Sequence, residues 1–417
     1  MLARLKFLAS IAALAIATAL LPLTQARAQD TLTILTWNLP VYGEKIAGWT
    51  KEFNQKYPDI KVEWIDKKGT EWATFYQAQL AAGTAPDLID VQGSLWAEYA
   101  DAGRLLDLTP YLAADADFRN RFSPGALDLW SSNGRNWLVP WYFAKTLLIG
   151  NRKLMKESGI TAMPKTFDEL MGAAAKVKGP GKSGFLTTNF DWLYWPLFRS
   201  NGVEILNADY TKAAFDTDAA AKTLKTLADA TKAGTINNIS WTGRWVEPNT
   251  AFGAGNVALY MAPTTALFWI ASKADWIDEE GVEVAEVPGV HAVPNNHGWG
   301  ISKGTKHADA AVHLLKIATS DKWQQVMADT FTLATLNDAV DRKLRDRIRD
   351  ESPLKARALE LTTQNLDKFT GYLRTGKDAR VKDIFWTEVQ PVLLGQGDAK
   401  AALSKAAARI DRELERK

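Results

Sequence analysis

Residues 31–91 read TLTILTWNLPVYGEKIAGWTKEFNQKYPDIKVEWIDKKGTEWATFYQAQLAAGTAPDLIDV. The run 31–37 is rich in Leu, Ile and Thr, as a short buried strand should be, and Asn38-Leu39-Pro40 breaks it. Ile46, Trp49, Phe53 and Tyr57 then recur at helical spacing until Tyr57-Pro58-Asp59 stops the helix. The run 60–65 (IKVEWI) alternates as a second strand. Trp72, Phe75, Tyr76 and Leu80 mark one face of a second helix, and Gly83 ends it. The run 87–91 (DLIDV) is a third strand. Strand, helix, strand, helix, strand is the pattern of an open parallel α/β sheet. Ligands of such sheets bind beyond the carboxyl ends of the strands.

Outward from this stretch, helical segments alternate with short strands and Gly/Pro turns. The run 401–414 is an amphipathic helix with Leu403, Ala407, Ile410 and Leu414 on one face. No repeat or Pro- or Ser-rich linker divides the chain, so two domains joined by several short crossings are expected.

Residues 1–28 carry the pattern of a secretory leader. Arg4 and Lys6 precede an apolar stretch over 7–23, and Ala26-Arg27-Ala28 is a small-x-small cleavage site that makes Gln29 the expected mature start. An uncleaved anchor is the alternative, for which the run is slightly short, and no later stretch approaches a span. The chain has no Cys, which excludes disulfides, thiolate metal sites, Cys nucleophiles and a lipid-modified Cys. These features fit a periplasmic protein without a lipid anchor. The formal net charge is +2, and the leader holds three positive charges (Arg4, Lys6, Arg27) and no acid, which leaves −1 for the rest. That balance gives no reason to expect a nucleic-acid partner.

From 83 to 90 the chain reads GTAPDLID, and further landmarks follow in order. They are WAEYADAGRLLDL over 96–108, WLVPWY over 137–142, PKTFDEL over 164–170, AFGAGNVALYM over 251–261 and GWGISKGTKH over 298–307. Together they resemble the family 1 extracellular solute-binding proteins of ABC transporters, the carbohydrate receptors related to maltose-binding protein. The resemblance spans nearly all of the chain after the leader.

It implies the two-lobed, type II-like periplasmic-binding fold of the α/β class, closing on its ligand by hinge motion. It places crossings near 144–148, 300–302 and 332–337. One lobe is then expected from 29–144 and 302–335, and the other from 145–301 and 336–417. It further implies a sugar ligand, an inner-membrane ABC permease as partner, a monomer, and no enzymatic activity.

The chain's 17 tryptophans bear on the site, because an indole presents a broad apolar face to a sugar ring. Trp37 and Asn38 end the first strand and are candidate cleft residues; an Asn turn beside a core Trp is the alternative. Gln92 and Ser94 follow the third strand, where Ser94 could serve only as an N-cap. Of Trp141 and Tyr142, one is expected in the cleft and the other packed. Asp191 and Trp192 offer a carboxylate for hydroxyls beside a stacking ring. Arg244 and Trp245 could bind hydroxyls or an anionic group, or Arg244 could pair with Glu247. Thr264 sits where many relatives carry an aromatic, and Trp299 at the expected second crossing is a candidate ligand wall. Trp49, Trp64, Trp72, Trp96, Trp130 and Trp323 read as packing.

The run 179–184 (GPGKSG) contains Gly-Lys-Ser, but position 176 is Lys where a phosphate loop needs Gly, so it is a turn. His291, His297, His307 and His313 show no metal spacing, and nothing asks for a cofactor. Two other classes stay open. One is a receptor for a non-sugar solute such as a polyamine or phosphorylated polyol. The other is an exported carbohydrate-active enzyme, which would need two facing carboxylates.

Overall fold

The computed structural model describes residues 30–37, 39–93, 95–243, 245–289, 295–365 and 375–416. The leader at 1–28 and the candidates Asn38, Ser94 and Arg244 lie outside them. No helix among the described residues is long and apolar enough to cross a membrane.

The opening stretch folds as its pattern requires. Strands β1 (Asp30–Thr36), β2 (Ile60–Asp66) and β3 (Leu88–Gln92) run parallel, with helices Leu39–Lys56 and Gly69–Ala82 between them. Ile46, Trp49 and Phe53 bury one face of the first helix, and Trp72 and Tyr76 one face of the second. Gly83 closes the second helix at φ 71°, a left-handed conformation that costs glycine little, and its N–H reaches the carbonyls of Gln79 and Leu80.

A short hairpin, β4 (Ser131–Ser132) and β5 (Arg135–Asn136), precedes β6 (Leu138–Ala144). The first sheet is completed much later in the chain by β11 (Asn295–Ile301), giving the order β2-β1-β3-β11-β6. β11 runs antiparallel to both its neighbours.

The second sheet contains β7 (Thr146–Asn151), β8 (Ser183–Leu186), β9 (Val257–Pro263) and β10 (Val282–Glu286), in the order β10-β7-β9-β8. β8 and β9 are parallel, and β7 is antiparallel to β9 and β10. Each sheet has its own buried apolar core. Two lobes of mixed α/β structure result.

The chain passes from the first sheet to the second at Lys145, between β6 and β7. It returns between Glu286 and Asn295, which corrects the crossing expected at 300–302: residues 298–301 lie inside the first sheet. Glycine suits this position. A Cβ on Gly300 would stand 2.4 Å from Leu138 Cδ2, so a larger residue here would require the buried Leu138 side chain to shift.

The last crossing is corrected too. Helix Asp338–Ile348 buries Val340, Leu344 and Ile348 in the first core. Helix Pro353–Thr363 packs on both lobes: Leu354, Ala358 and Leu361 belong to a core of the second, and Ala356 and Leu359 to the core of the first. The chain is therefore still in the first lobe at Ile348 and passes to the second through the bridging helix Pro353–Thr363, not at 332–337. Helices Asp378–Leu393 and Ala399–Glu415 then pack in the second lobe through Val381, Ile384, Phe385, Leu403 and Ile410.

Candidate ligand-binding cleft

The pairing pattern makes β6 parallel to β1 and β3, so Trp37, Gln92 and Tyr142 lie at the carboxyl ends of three parallel strands on the same edge of the sheet. In the second sheet, β8 and β9 lead into the segments holding Asp191, Trp192 and Thr264. Thr146 pairs with Pro263, so the start of β7 lies at the carboxyl end of β9. The Lys145 crossing thus joins the ligand-binding ends of the two sheets. Gly376 N–H donates to Asp101 Oδ2 at 2.9 Å and ties the segment before helix Asp378–Leu393 to helix Leu95–Asp101 of the first lobe.

On the first lobe, the candidates gather around a residue that spacing did not single out. His297 of β11 lies between Trp37 (ring centroids 5.0 Å, interplanar angle 25°) and Tyr142 (4.5 Å, 21°). Its Nδ1 is 2.8 Å from Asp90 Oδ1 and accepts from Trp37 Nε1 at 3.0 Å. Thr36 Oγ1 donates to the other oxygen of Asp90. Asp90 and His297 are both buried, and burial raises the Asp90 pKa above the usual carboxylate range, with His297 opposing the rise. Trp37 and Tyr142 remain half-buried and Gln92 is exposed, so all three retain surface for a ligand.

Trp141 and Trp299 are corrected from cleft to core. Each is 1% exposed. Their rings are 4.8 Å apart, and Trp299 meets Trp49 and Trp64 nearly edge-on at 6.2 and 6.4 Å. A ring with no surface accessible to water cannot stack on a solute. Of the adjacent pair, Trp141 is the packed ring and Tyr142 the one at the rim.

On the second lobe, Trp192 is half-buried and stacks on Phe190 at 5.4 Å with the rings 10° from parallel. Asp191 opens helix Asp191–Arg199, but its Oδ2 is 3.1 Å from Lys382 Nζ, which also meets Asp378 at 2.5 Å. Burial alone would lower the Lys382 pKa; the two carboxylates outweigh it and raise the value. Asp191 is thus engaged in an ion pair rather than held open for hydroxyls. Trp386 stacks on Tyr194 at 4.7 Å, half-buried. Trp245 is half-buried at the start of helix Val246–Gly253.

Thr264 is corrected to a packing position. It is 3% exposed, its N–H donates to the Lys145 carbonyl at 3.0 Å, and its hydroxyl accepts from Thr362.

Sequence reasoning missed His297, Asp90, Lys382 and Asp378. One signal was present: an acid in the middle of the apolar run 87–91 requires a buried partner. Among the described residues, no group of three or more His, Cys, Asp or Glu could hold a metal.

The arrangement offers two aromatic platforms, Trp37/Tyr142 and Phe190/Trp192, one on each lobe. Such faces suit the C–H faces of a small polyhydroxylated ring.

Comparison with known proteins agrees with this architecture. An arabinooligosaccharide-binding protein of Bacillus subtilis is 28% identical over 197 residues, 43% of this chain and 45% of that protein. The chain thus matches less than half the length of the first curated relatives. A diacetylchitobiose-binding protein of Streptomyces coelicolor, DasA, is 22% identical over 356 residues, 81% of this chain and 80% of its own.

Among solved structures, an oligosaccharide-binding protein from Synechococcus sp. MITs9220, described as putative, superposes with a TM-score of 0.79 at 21% identity, covering 92% of this chain and 98% of that one. Maltose-bound MalE3 of T. maritima gives 0.74 at 24%, covering 92% and 99%. At these identities the likeness is one of fold. The family model described as "Bacterial extracellular solute-binding protein" matches residues 36–325, most of the described structure. On that match, the chain belongs to the bacterial extracellular solute-binding protein family.

Proposed function

We propose that this protein is the periplasmic substrate-binding component of an ABC importer. It takes a mono- or oligosaccharide between its lobes and delivers it to an inner-membrane permease. The observation that carries this reading is the pair of half-buried aromatic platforms, Trp37/Tyr142 and Phe190/Trp192, at the ligand-binding ends of two sheets joined at Lys145. Gln92 supplies an amide that can both donate to and accept from hydroxyls. Asn38, Ser94, Arg244 and Trp245 are proposed as further polar and aromatic contacts. Relatives named for arabinooligosaccharide and diacetylchitobiose binding support a sugar over other solutes.

Catalysis plays no part in this reading. Asp191 and Asp378, beside the second platform, are both held in ion pairs by Lys382. Neither is poised as a glycosidase acid or nucleophile.

Intrinsic Trp fluorescence and thermal shift across a library of mono- and oligosaccharides, polyamines and polyol phosphates test the proposal. A saturable response to a sugar is expected. A response to a polyamine or polyol phosphate with none to any sugar would overturn it, and so would release of hydrolysis products from a glycan.

A further inference from the structure

We propose that Asp90 and His297 form a positioning pair that sets the pose of the first lobe's aromatic platform, His297 by spacing the Trp37 and Tyr142 rings and Asp90 by fixing His297.

Trp37 follows β1 and Tyr142 lies on β6, at opposite sides of the sheet order β2-β1-β3-β11-β6. His297 on β11 stacks on both rings, at 5.0 Å and 4.5 Å. It fills the one layer between them, and its removal lets each ring tilt.

The imidazole is held by its edge. His297 and Asp90 are each 1% exposed, and the Nδ1 to Oδ1 separation is 2.8 Å. The same nitrogen lies 3.0 Å from Trp37 Nε1. An indole N–H only donates, so Nδ1 meets the Trp37 proton with a lone pair. The contact with Asp90 then takes its proton from the carboxyl oxygen. Asp90 is neutral in this arrangement, as its burial favours, and the imidazole keeps its own proton on Nε2. Nε2 has no hydrogen-bond partner among the described residues. The opposite arrangement, with Nδ1–H donating to a carboxylate, would aim two N–H groups at each other across 3.0 Å. Asp90 therefore acts as a neutral donor that shares the single lone pair of His297 Nδ1 with the Trp37 N–H and holds the imidazole by that edge. Neither residue needs to touch the solute; both act through Trp37 and Tyr142.

The ligand arm of the test rests on the solute-binding reading above; the ligand-free arms do not. In the full chain without ligand, the His297 ring nitrogens are read by 15N-detected NMR, with assignment by His297→Gln. Nδ1 is expected to have the shift of an unprotonated nitrogen and Nε2 that of a protonated one. A protonated Nδ1 would overturn the proposed hydrogen-bond pattern.

In protein labelled with 5-fluorotryptophan, the Trp37 signal, assigned by Trp37→Phe, is expected to broaden or move in His297→Leu and Asp90→Leu. It should stay in place in Asp90→Asn, whose amide can still donate to Nδ1. The Trp192 signal should not change. An unmoved Trp37 signal in both Leu variants, or equal loss in Asp90→Asn and Asp90→Leu, would overturn the proposal. Should a Leu variant not fold, the wild-type nitrogen shifts and Asp90→Asn still decide it.

With a responding sugar, the Leu variants are expected to lose roughly tenfold in affinity and Asp90→Asn little, the scale of one mis-set aromatic contact. A library in which wild type binds no sugar sinks the solute reading and leaves the ring positioning to the ligand-free spectra.

Discussion

Lys145 Nζ lies 2.6 Å from Glu286 Oε1, and the two residues occupy two different passages of the chain between its lobes. Lys145 is the single residue between β6 and β7, and Glu286 is the last residue of β10 before the chain returns. The same ammonium donates to the carbonyls of Leu361, at 3.2 Å, and Gln364, at 3.4 Å, at the end of helix Pro353–Thr363. One wholly buried cation thus ties together three chain segments at the hinge. Burial pulls its pKa down, and Glu286 works against that shift. Lys145→Ala leaves Glu286 and two carbonyls without their donor and opens a cavity. It is expected to cost roughly 3–5 kcal/mol in urea unfolding. Lys145→Met keeps the buried stem and should cost less, about 1–3 kcal/mol. Equal stability of both variants and wild type would show that the cation holds nothing.

The two kinds of tryptophan separate by what their loss changes. Trp299→Ala removes a core ring packed on Trp141, Trp49 and Trp64, and a loss of about 3–5 kcal/mol in stability is expected. Trp192→Ala removes a half-buried ring at the proposed cleft. It should lower sugar affinity roughly tenfold with a much smaller change in unfolding midpoint. Titration calorimetry beside thermal melts reads both quantities, and the reverse pattern would return Trp299 to the ligand wall.

Asp341 makes a pH signature. It is almost wholly buried and accepts from Thr335 N–H at 2.7 Å, Thr335 Oγ1 at 2.9 Å and Leu336 N–H at 3.0 Å. Burial pushes its pKa from 3.8 up to about 6, against these hydrogen bonds. Below about pH 4 both folded and unfolded chains hold the proton. Between there and about pH 6 the unfolded chain has released it and the folded protein has not, so stability falls as pH rises, by about 3 kcal/mol in all, and is flat beyond. The stability difference between wild type and Asp341→Asn should therefore shrink across that window in urea titrations. A constant difference would mean that the buried carboxyl does not titrate there.

Gly184 sits in β8 directly under helix Phe167–Lys176. A Cβ there would stand 2.0 Å from the Ala174 carbonyl oxygen and 2.5 Å from its Cα. Those are backbone atoms, so the whole helix must move. Gly184→Ala is expected to cost about 1–3 kcal/mol or more. An unchanged melting temperature would show the helix to be loosely seated.

The fold was legible where a residue's partners lie close in sequence. The βαβαβ run from Asp30 to Gln92, the helix stop at Gly83 and the burial of Trp49, Trp72, Trp96 and Trp130 follow from periodicity and turn chemistry. It was not legible where the partner is distant. Gly298-Trp299-Gly300 reads as a lobe crossing with a ligand-facing ring until β3 and β6 close on either side. Its glycines then prove to be clearance for Leu138 and its Trp a core ring. His297 offered no metal spacing because its partner, Asp90, is 207 residues away and the two form a pair, not a ligand set. Asp191 read as a carboxylate free for hydroxyls, but the ion pair that occupies it depends on Lys382, which only the packing of the last helices brings near.

The placement of β11 has a consequence for how the molecule assembles. It is an inner strand of the first sheet, flanked by β3 and β6, yet it is reached only after all four strands of the second sheet have been made. A nascent chain that has emerged as far as Glu286 can complete the second sheet, while the first still lacks the inner strand between β3 and β6. The edges of β3 and β6 stay unpaired, and aggregation-prone, until residue 301 arrives. The sheet begun first is therefore completed last, and long-range closure by β11 should set the slow step of folding.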